Sequence, residues 1–200
     1  MKILLINNRS KLFSILRKKI RAIPNVKLDE VPYDKITNIK YDSYDGIILS
    51  GGSNVSSVNT GYDTTYAPQI TLIKNRKKPI LGICLGFQIV AKAYGEKIEK
   101  LAEKTKNPRD IICIKKDALF KNMSEQFVAY EYHLYAVLHV KNLVILAQSK
   151  DGIEAVKHPT KKIYGVQFHP ECDISNSDAG KVLKNFITIV AQEKKKQSLL

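Results

Sequence analysis

The run Ile80-Leu81-Gly82-Ile83-Cys84-Leu85-Gly86-Phe87-Gln88 decides the fold. It begins as a short apolar strand behind Pro79 and changes, at Cys84, into a helical pattern over residues 87–94. Gly82 and Gly86 frame the cysteine, and a tight strand-to-helix turn requires them because side chains there would collide. A cysteine in such a turn sits at a helix N-terminus, where free N–H groups and the helix dipole favour thiolate over thiol. The amide of Leu85 would point at the oxygen of a tetrahedral intermediate. A buried cysteine on an apolar strand is also a common structural feature. The pentapeptide alone therefore leaves both readings open.

A second run, Gly165-Val166-Gln167-Phe168-His169-Pro170-Glu171, supplies the missing chemistry. The imidazole of His169 can take the thiol proton and return it to a leaving amine. Glu171 would hold the ring in one tautomer and stabilise the imidazolium. Pro170 ends the strand and stiffens the link between the two side chains. His139 and His158 lie beside lysines and read as solvent-facing. Cys172 follows Glu171 without a glycine frame and reads as a bystander.

Working outward, strand and helix patterns alternate through the first half. Residues 2–7, 26–31, 46–49 and 79–84 read as strands; 10–22, 66–76 and 87–94 read as helices, the first with Ser10 as a possible N-cap. Residues 53–65 are polar and read as a loop. Near-continuous apolar strands alternating with helices imply a mostly parallel central sheet with helices on both faces. After Gly95 come short strand candidates at 98–101, 111–115, 126–132, 143–148, 153–157 and 163–168, a single helical turn at 117–120, and a closing helix at 179–191. Asp151-Gly152 signals a hairpin. The second half thus adds a smaller antiparallel region to one α/β domain spanning 1–193, with a frayed basic tail at 194–200.

The composition narrows the function classes. Two hundred residues with 44% hydrophobic content suit one sizeable core. No apolar run approaches the roughly 20 residues that cross a bilayer, so a cytoplasmic protein without a membrane role is expected. The three cysteines, Cys84, Cys113 and Cys172, have no metal-like spacing and argue against a disulfide scaffold or a metal site. The net charge of +14 is spread along the chain without an aromatic-interleaved basic patch, so no nucleic-acid role is expected.

Gly82, Cys84, Gly86 and Gln88 together with His169, Pro170 and Glu171 resemble the G-x-C-x-G-x-Q and H-P-E signatures of class I glutamine amidotransferases. The likeness covers nearly the whole chain, and Gly46-Ile47-Ile48-Leu49-Ser50-Gly51-Gly52 looks like that family's third strand and oxyanion loop. Leu119-Phe120-Lys121-Asn122 and Ile163-Tyr164-Gly165-Val166-Gln167-Phe168 look most like the stand-alone glutaminase subunit of archaeal-type GMP synthetase. The resemblance implies a flavodoxin-like α/β fold with its cleft at the C-terminal strand ends. It implies glutamine hydrolysis by Cys84, His169 and Glu171, with an oxyanion hole from Gly52 and Leu85. Gln88, His133, Leu134 and Tyr135 would bind glutamine, the last two through backbone groups. Ammonia would pass to an ATP-dependent synthetase subunit of the ATP-pyrophosphatase type, which would carry ATP and Mg; the glutaminase itself would need neither cofactor nor metal.

The sequence departs from that pattern in places. Phe87 stands where histidine is usual, and Ser53 where proline is usual. Tyr130-Glu131-Tyr132-His133-Leu134-Tyr135 replaces a Ser-His-Gly/Lys-Asp pattern, keeping only His133. Its Tyr-His pair is similar to anthranilate and aminodeoxychorismate synthase subunits, so a partner of that type is a second reading. A stand-alone γ-glutamyl hydrolase is a third, and a non-enzymatic regulator of a partner is a fourth. Ser50-Gly51-Gly52-Ser53-Asn54 lacks the aspartate and serine of a phosphate-cradling loop, which argues against an ATP site here.

Overall fold

Ile3-Leu4-Leu5-Ile6 has no polar break, and such a strand must be covered on both faces. The computed structural model of the protein, which describes residues 1–52 and 62–198, covers it so. Strand β1 (Lys2–Asn8) is followed by α1 (Phe13–Arg21), β2 (Lys27–Pro32), β3 (Gly46–Gly52), α2 (Tyr62–Thr65), α3 (Ala67–Asn75), β4 (Ile80–Ile83) and α4 (Leu85–Ala93). The second half contributes β5 (Glu99–Thr105), β6 (Pro108–Cys113), β7 (Gln126–Tyr130), β8 (His133–Ala136), β9 (Val144–Ser149), β10 (Gly152–Lys157), β11 (Ile163–Val166) and α5 (Lys181–Gln197). The large sheet has the order β2-β1-β3-β4-β11-β10-β9-β6-β7, and β5 with β8 forms a separate antiparallel pair. The first five strands of that order are parallel; from β10 onward the pairing is antiparallel.

Alternation along the parallel strands feeds two apolar layers. Ile3, Leu5, Ile48, Leu81, Ile83 and Val166 face one layer, where α1 contributes Leu16 and Ile20 and α5 contributes Val182, Phe186 and Val190. Leu4, Ile6, Ile47, Leu49, Ile80 and Ile163 face the other, with Leu72 and Ile73 of α3 and Leu85, Phe87, Ile89 and Val90 of α4. Each fully buried Leu, Ile or Phe contributes on the order of 1.5–3 kcal/mol. Among the described residues, no helix is long and apolar enough to cross a membrane.

Several sequence expectations need correction. Ser10 does not cap α1: its hydroxyl accepts from the amide of Leu12 (3.1 Å) and its carbonyl from Phe13 (3.2 Å), making a turn ahead of the helix. The strand expected at 126–132 stops at Tyr130, and β8 begins at His133 in a different sheet. The strand expected at 98–101 runs on to Thr105. The end expected to fray is helical to Gln197, because Lys194 pairs with Asp45 (3.0 Å) and Lys78 reaches Gln197 (2.6 Å). Of the loop expected at 53–65, Tyr62–Thr65 is helical; residues 53–61, with the Ser53 and Asn54 readings, lie outside the described residues. The hairpin at Asp151-Gly152 is present between β9 and β10, with Gly152 at φ +135°.

The tightest glycine contacts lie where β3, β4 and α4 meet. A Cβ on Gly86 would stand 2.4 Å from the carbonyl oxygen of Leu49, which the sheet holds in place. A Cβ on Gly180, just before α5, would meet nothing closer than 3.7 Å, and its φ of −63° suits any residue. Gly86→Ala is therefore expected to cost about 3 kcal/mol, the upper range for overpacking. Gly180→Ala should stay within about 0.5 kcal/mol of the parent. Urea midpoints of the two variants check this; equal midpoints would refute the packing argument.

Candidate active site

Cys84 lies between β4 and α4 with φ +52° and ψ −105°, a backbone conformation that residues with side chains rarely adopt. Its neighbours hold it there. A Cβ on Gly82 would stand 2.3 Å from the carbonyl oxygen of Gly86, so the glycines on both sides are steric necessities. The amide of Cys84 is tied to Val166 of β11 (2.8 Å), and the amide of Gln88 closes the first helical turn on the Cys84 carbonyl (3.1 Å). The Leu85 amide is among the first of α4, a position without an intrahelical acceptor.

His169 follows β11 and is brought to the same point. Its own amide donates to Tyr130 of β7 (2.9 Å), and its Nδ1 lies 2.9 Å from Glu171 Oε1. Both side chains are buried. Burial disfavours a charged ring, but the Glu171 carboxylate and the Cys84 sulfur outweigh it and hold the His169 pKa well above the ordinary imidazole range. The Cys84 side chain is within hydrogen-bonding reach of the ring, although Nε2 has no in-line partner. The thiol instead points at the Tyr132 carbonyl, 3.8 Å away. Gly51 is wedged against both groups: a Cβ there would lie 3.1 Å from His169 Cε1 and 3.4 Å from Cys84 Cβ.

A cleft of about 340 Å³ opens over the sulfur. Of the residues expected from sequence, Gly52, Cys84, His133, Leu134, Tyr135 and His169 line it. Gln88 and Glu171 stand behind the lining. Gln88 Nε2 donates to the Tyr135 carbonyl (2.9 Å) and to Gln167 Oε1 (3.1 Å), so it positions the rim. That same carbonyl also lies 3.0 Å from His133 Nδ1. Tyr135 O thus has two partners within the protein. Phe87, in place of the usual histidine, is fully buried against Gly165, whose Cβ would stand 2.4 Å from the ring. Cys113 and Cys172 are half-buried, and burial pushes each thiol up to about 11. His139 is exposed, but His158 is not simply solvent-facing: it accepts from the amides of Thr160 and Lys161 and packs on Tyr94.

Other residues at the site carried no motif. Asn8 and Gln69 form a buried amide pair, with Gln69 Nε2 donating to Asn8 Oδ1 (2.7 Å). Asn8 also holds Ser50 through its backbone amide and Nδ2 (2.9 Å each), fixing the approach to Gly51 and Gly52. Lys11, Lys104 and Tyr132 border the cleft, with the Lys104 ammonium 4.4 Å from the Tyr132 ring centre. Deeper still are Glu131 and Glu154, both buried. Burial pushes Glu131 up to about 8, and burial with the neighbouring Glu131 charge raises Glu154 well above the carboxylate range. The only signals in the sequence were a glutamate between two tyrosines and another between Ile153 and Ala155, in otherwise apolar company.

The glutamine amidotransferase class-I family model matches residues 4–190. A glutamine-hydrolyzing GMP synthase subunit from Methanococcus aeolicus is 41% identical over 147 residues, covering 72% of this chain and 73% of that one. Its counterpart from Methanococcus vannielii is 40% identical over 148 residues, 72% of each chain. Among solved structures, a candidate GMP synthase subunit from Thermoplasma acidophilum superposes with TM-score 0.86 at 24% identity, over 99% of this chain and 98% of that one. A glutamine amidotransferase from Thermotoga maritima reaches TM-score 0.71 at 17% identity, over 100% and 86%. These two structures carry the same flavodoxin-like fold, as the sequence resemblance implied. With its signature residues gathered at the C-terminal ends of β3, β4 and β11 and a family match over nearly its whole length, the chain belongs to the class I glutamine amidotransferases.

Proposed function

We propose that this protein hydrolyses the side-chain amide of glutamine and delivers the ammonia to a separate ATP-dependent synthetase subunit that makes GMP from XMP in the cytoplasm. The observation that carries the reading is the convergence of Cys84, His169 and Glu171, from two distant runs of sequence, beneath one cleft. The names of the Methanococcus relatives favour the GMP-forming partner over the anthranilate type.

The chemistry follows from the electrostatics. A ring pKa held well above its ordinary range by Glu171 and the Cys84 sulfur favours the imidazolium beside the sulfur. The sulfur attacks the amide carbon of glutamine, forming a C–S bond. The amides of Gly52 and Leu85 donate hydrogen bonds to the resulting oxyanion. His169 gives its Nε2 proton to the amide nitrogen, the C–N bond breaks and ammonia leaves. Neutral His169 then removes a proton from water as the oxygen attacks the thioester carbon; the C–S bond breaks, glutamate leaves, and the proton now on the ring restores the starting pair. Glu171 fixes the ring through Nδ1 throughout. A cleft of about 340 Å³ is large enough for a free amino acid.

Cys84→Ala is expected to lower glutaminase turnover by about 10⁴-fold or more. Ammonia-dependent GMP formation by the reconstituted complex should persist. Glutamine turnover near the parent rate would remove Cys84 from the mechanism.

Glu171→Gln tests the charge argument through pH. Removing the carboxylate deletes a cause that raises the His169 pKa while burial still lowers it. The ring pKa must therefore fall. The imidazolium is lost at lower pH, so the alkaline limb of the kcat/KM profile should move to lower pH. The rate at the optimum should drop by up to about 10⁴-fold. A limb that stays in place would show that Glu171 does not set the charge on the ring.

A further inference from the structure

The described residues hold one buried cluster that takes no part in the bond-making and bond-breaking steps above, although its His133 also lines the cleft. Glu131 lies between β7 and β8, His133 begins β8, and Glu154 is on β10. One ligand atom from each falls within 4.8 Å of the others. Their relative exposures are 0%, 6% and 1%. Both oxygens of Glu131, Nε2 of His133 and Oε2 of Glu154 find no well-formed hydrogen bond outside the cluster and contact only one another.

The surroundings aim these atoms inward. His133 Nδ1 lies 3.0 Å from the Tyr135 carbonyl, which can only accept, so Nδ1 carries the hydrogen and Nε2 presents its lone pair. That lone pair faces Glu131 Oε2 at 2.9 Å. Ser149 donates to Glu154 Oε1 (2.6 Å) and leaves Oε2 turned to the cluster. A histidine steadied through its other nitrogen by a carbonyl, and a carboxylate steadied by a hydroxyl, is the outer arrangement of a metal site. In their ionised forms the two carboxylates would present, together with Nε2, an all-acceptor cluster. Protons shared among the side chains can satisfy part of this cluster, whereas a divalent cation would draw a donor atom from each of the three residues at once.

We propose that Glu131, His133 and Glu154 bind one divalent transition cation, zinc by preference, in a closed structural site behind the cleft. One imidazole nitrogen and two carboxylates are donor types that zinc takes. The residues between and after the ligands, Tyr132, Leu134 and Tyr135, line the cleft. The cation would tie that rim to β10 of the large sheet. It touches no reacting atom, so Cys84 chemistry stays metal-free.

The full-length chain, stripped with a chelator, is titrated with Zn²⁺ by calorimetry and by thermal unfolding. One equivalent should bind and raise Tm. Glu131→Gln should weaken binding by about 100-fold or more. The surface control His139→Gln should bind like the parent. Because the cluster variant can lose its fold, anomalous diffraction from zinc-soaked parent crystals provides an independent arm, with one peak expected among the three side chains. Binding well below one equivalent, a peak at a cysteine or at the surface, or undiminished binding by folded Glu131→Gln would each overturn the site. The cluster would then be neutralised by protons alone.

Discussion

Cys84 occupies a backbone conformation with φ +52°, and the rest of the architecture makes that conformation tolerable. A side chain in this region costs roughly 1–3 kcal/mol of local strain, and it persists only where the surroundings over-determine it. Here β4 is pinned on both sides by β3 and β11, and α4 is pressed onto Leu49 through Gly86. The strain has a geometric return. It lifts the sulfur off the sheet at the one place where the amides of α4 begin. The apolar layers on either face of the sheet provide the rigidity; without them the turn would relax and the sulfur would leave the amides.

The same frame explains how a charged ring survives burial. His169 is 2% exposed and Glu171 is fully buried, an arrangement that would be costly for either residue alone. They are placed two residues apart with a proline between, so little further ordering is needed to bring Nδ1 to Oε1. The nearby sulfur adds a third member that can exchange a proton with the ring. What would otherwise be a poor stabilising contact is therefore the electrostatic basis of the proposed chemistry. Peripheral pairs such as Arg21 with Glu30 are more exposed and contribute at most about 1 kcal/mol.

The fold was legible in the sequence because its strands are apolar on both faces and its turns carry their own steric requirements. Gly82, Gly86 and Asp151-Gly152 each announce a backbone event that no other local pattern explains. The lining of the cleft by Cys84 and His169 was legible too, since both follow strands that end at the same edge of the sheet. What stayed hidden depends on long-range pairing. Asn8 and Gln69 are 61 positions apart and carry no local mark of the amide pair they form. The break after Tyr130 was missed because Gln126 to Tyr132 reads as one alternating strand, while the structure sends its continuation to β5 instead of β6. Glu131 looked like an ordinary departure from a motif because burial of a single polar residue between tyrosines has no signature of its own.

That break has a structural consequence for the cleft. β8 belongs to a two-stranded pair, outside the hydrogen-bond ladder that fixes β4 and β11. An isolated pair of strands is marginal by itself, and the rim it forms is tied to the body by the Ile153 amide donating to Val137 (3.0 Å) and by side chains. Gln88 does this from α4 by holding the Tyr135 carbonyl, and His133 does it from within β8 by holding the same atom. The nucleophile and the rim therefore share one helix as reference: Cys84 caps α4, and Gln88 extends from its first turn. A shift of α4 would move sulfur and rim together and leave the distance between them nearly unchanged. His169, set by β11 and β7, would not follow, so the packing of α4 against β11 through Phe87 and Gly165 is the contact that keeps base and nucleophile in register.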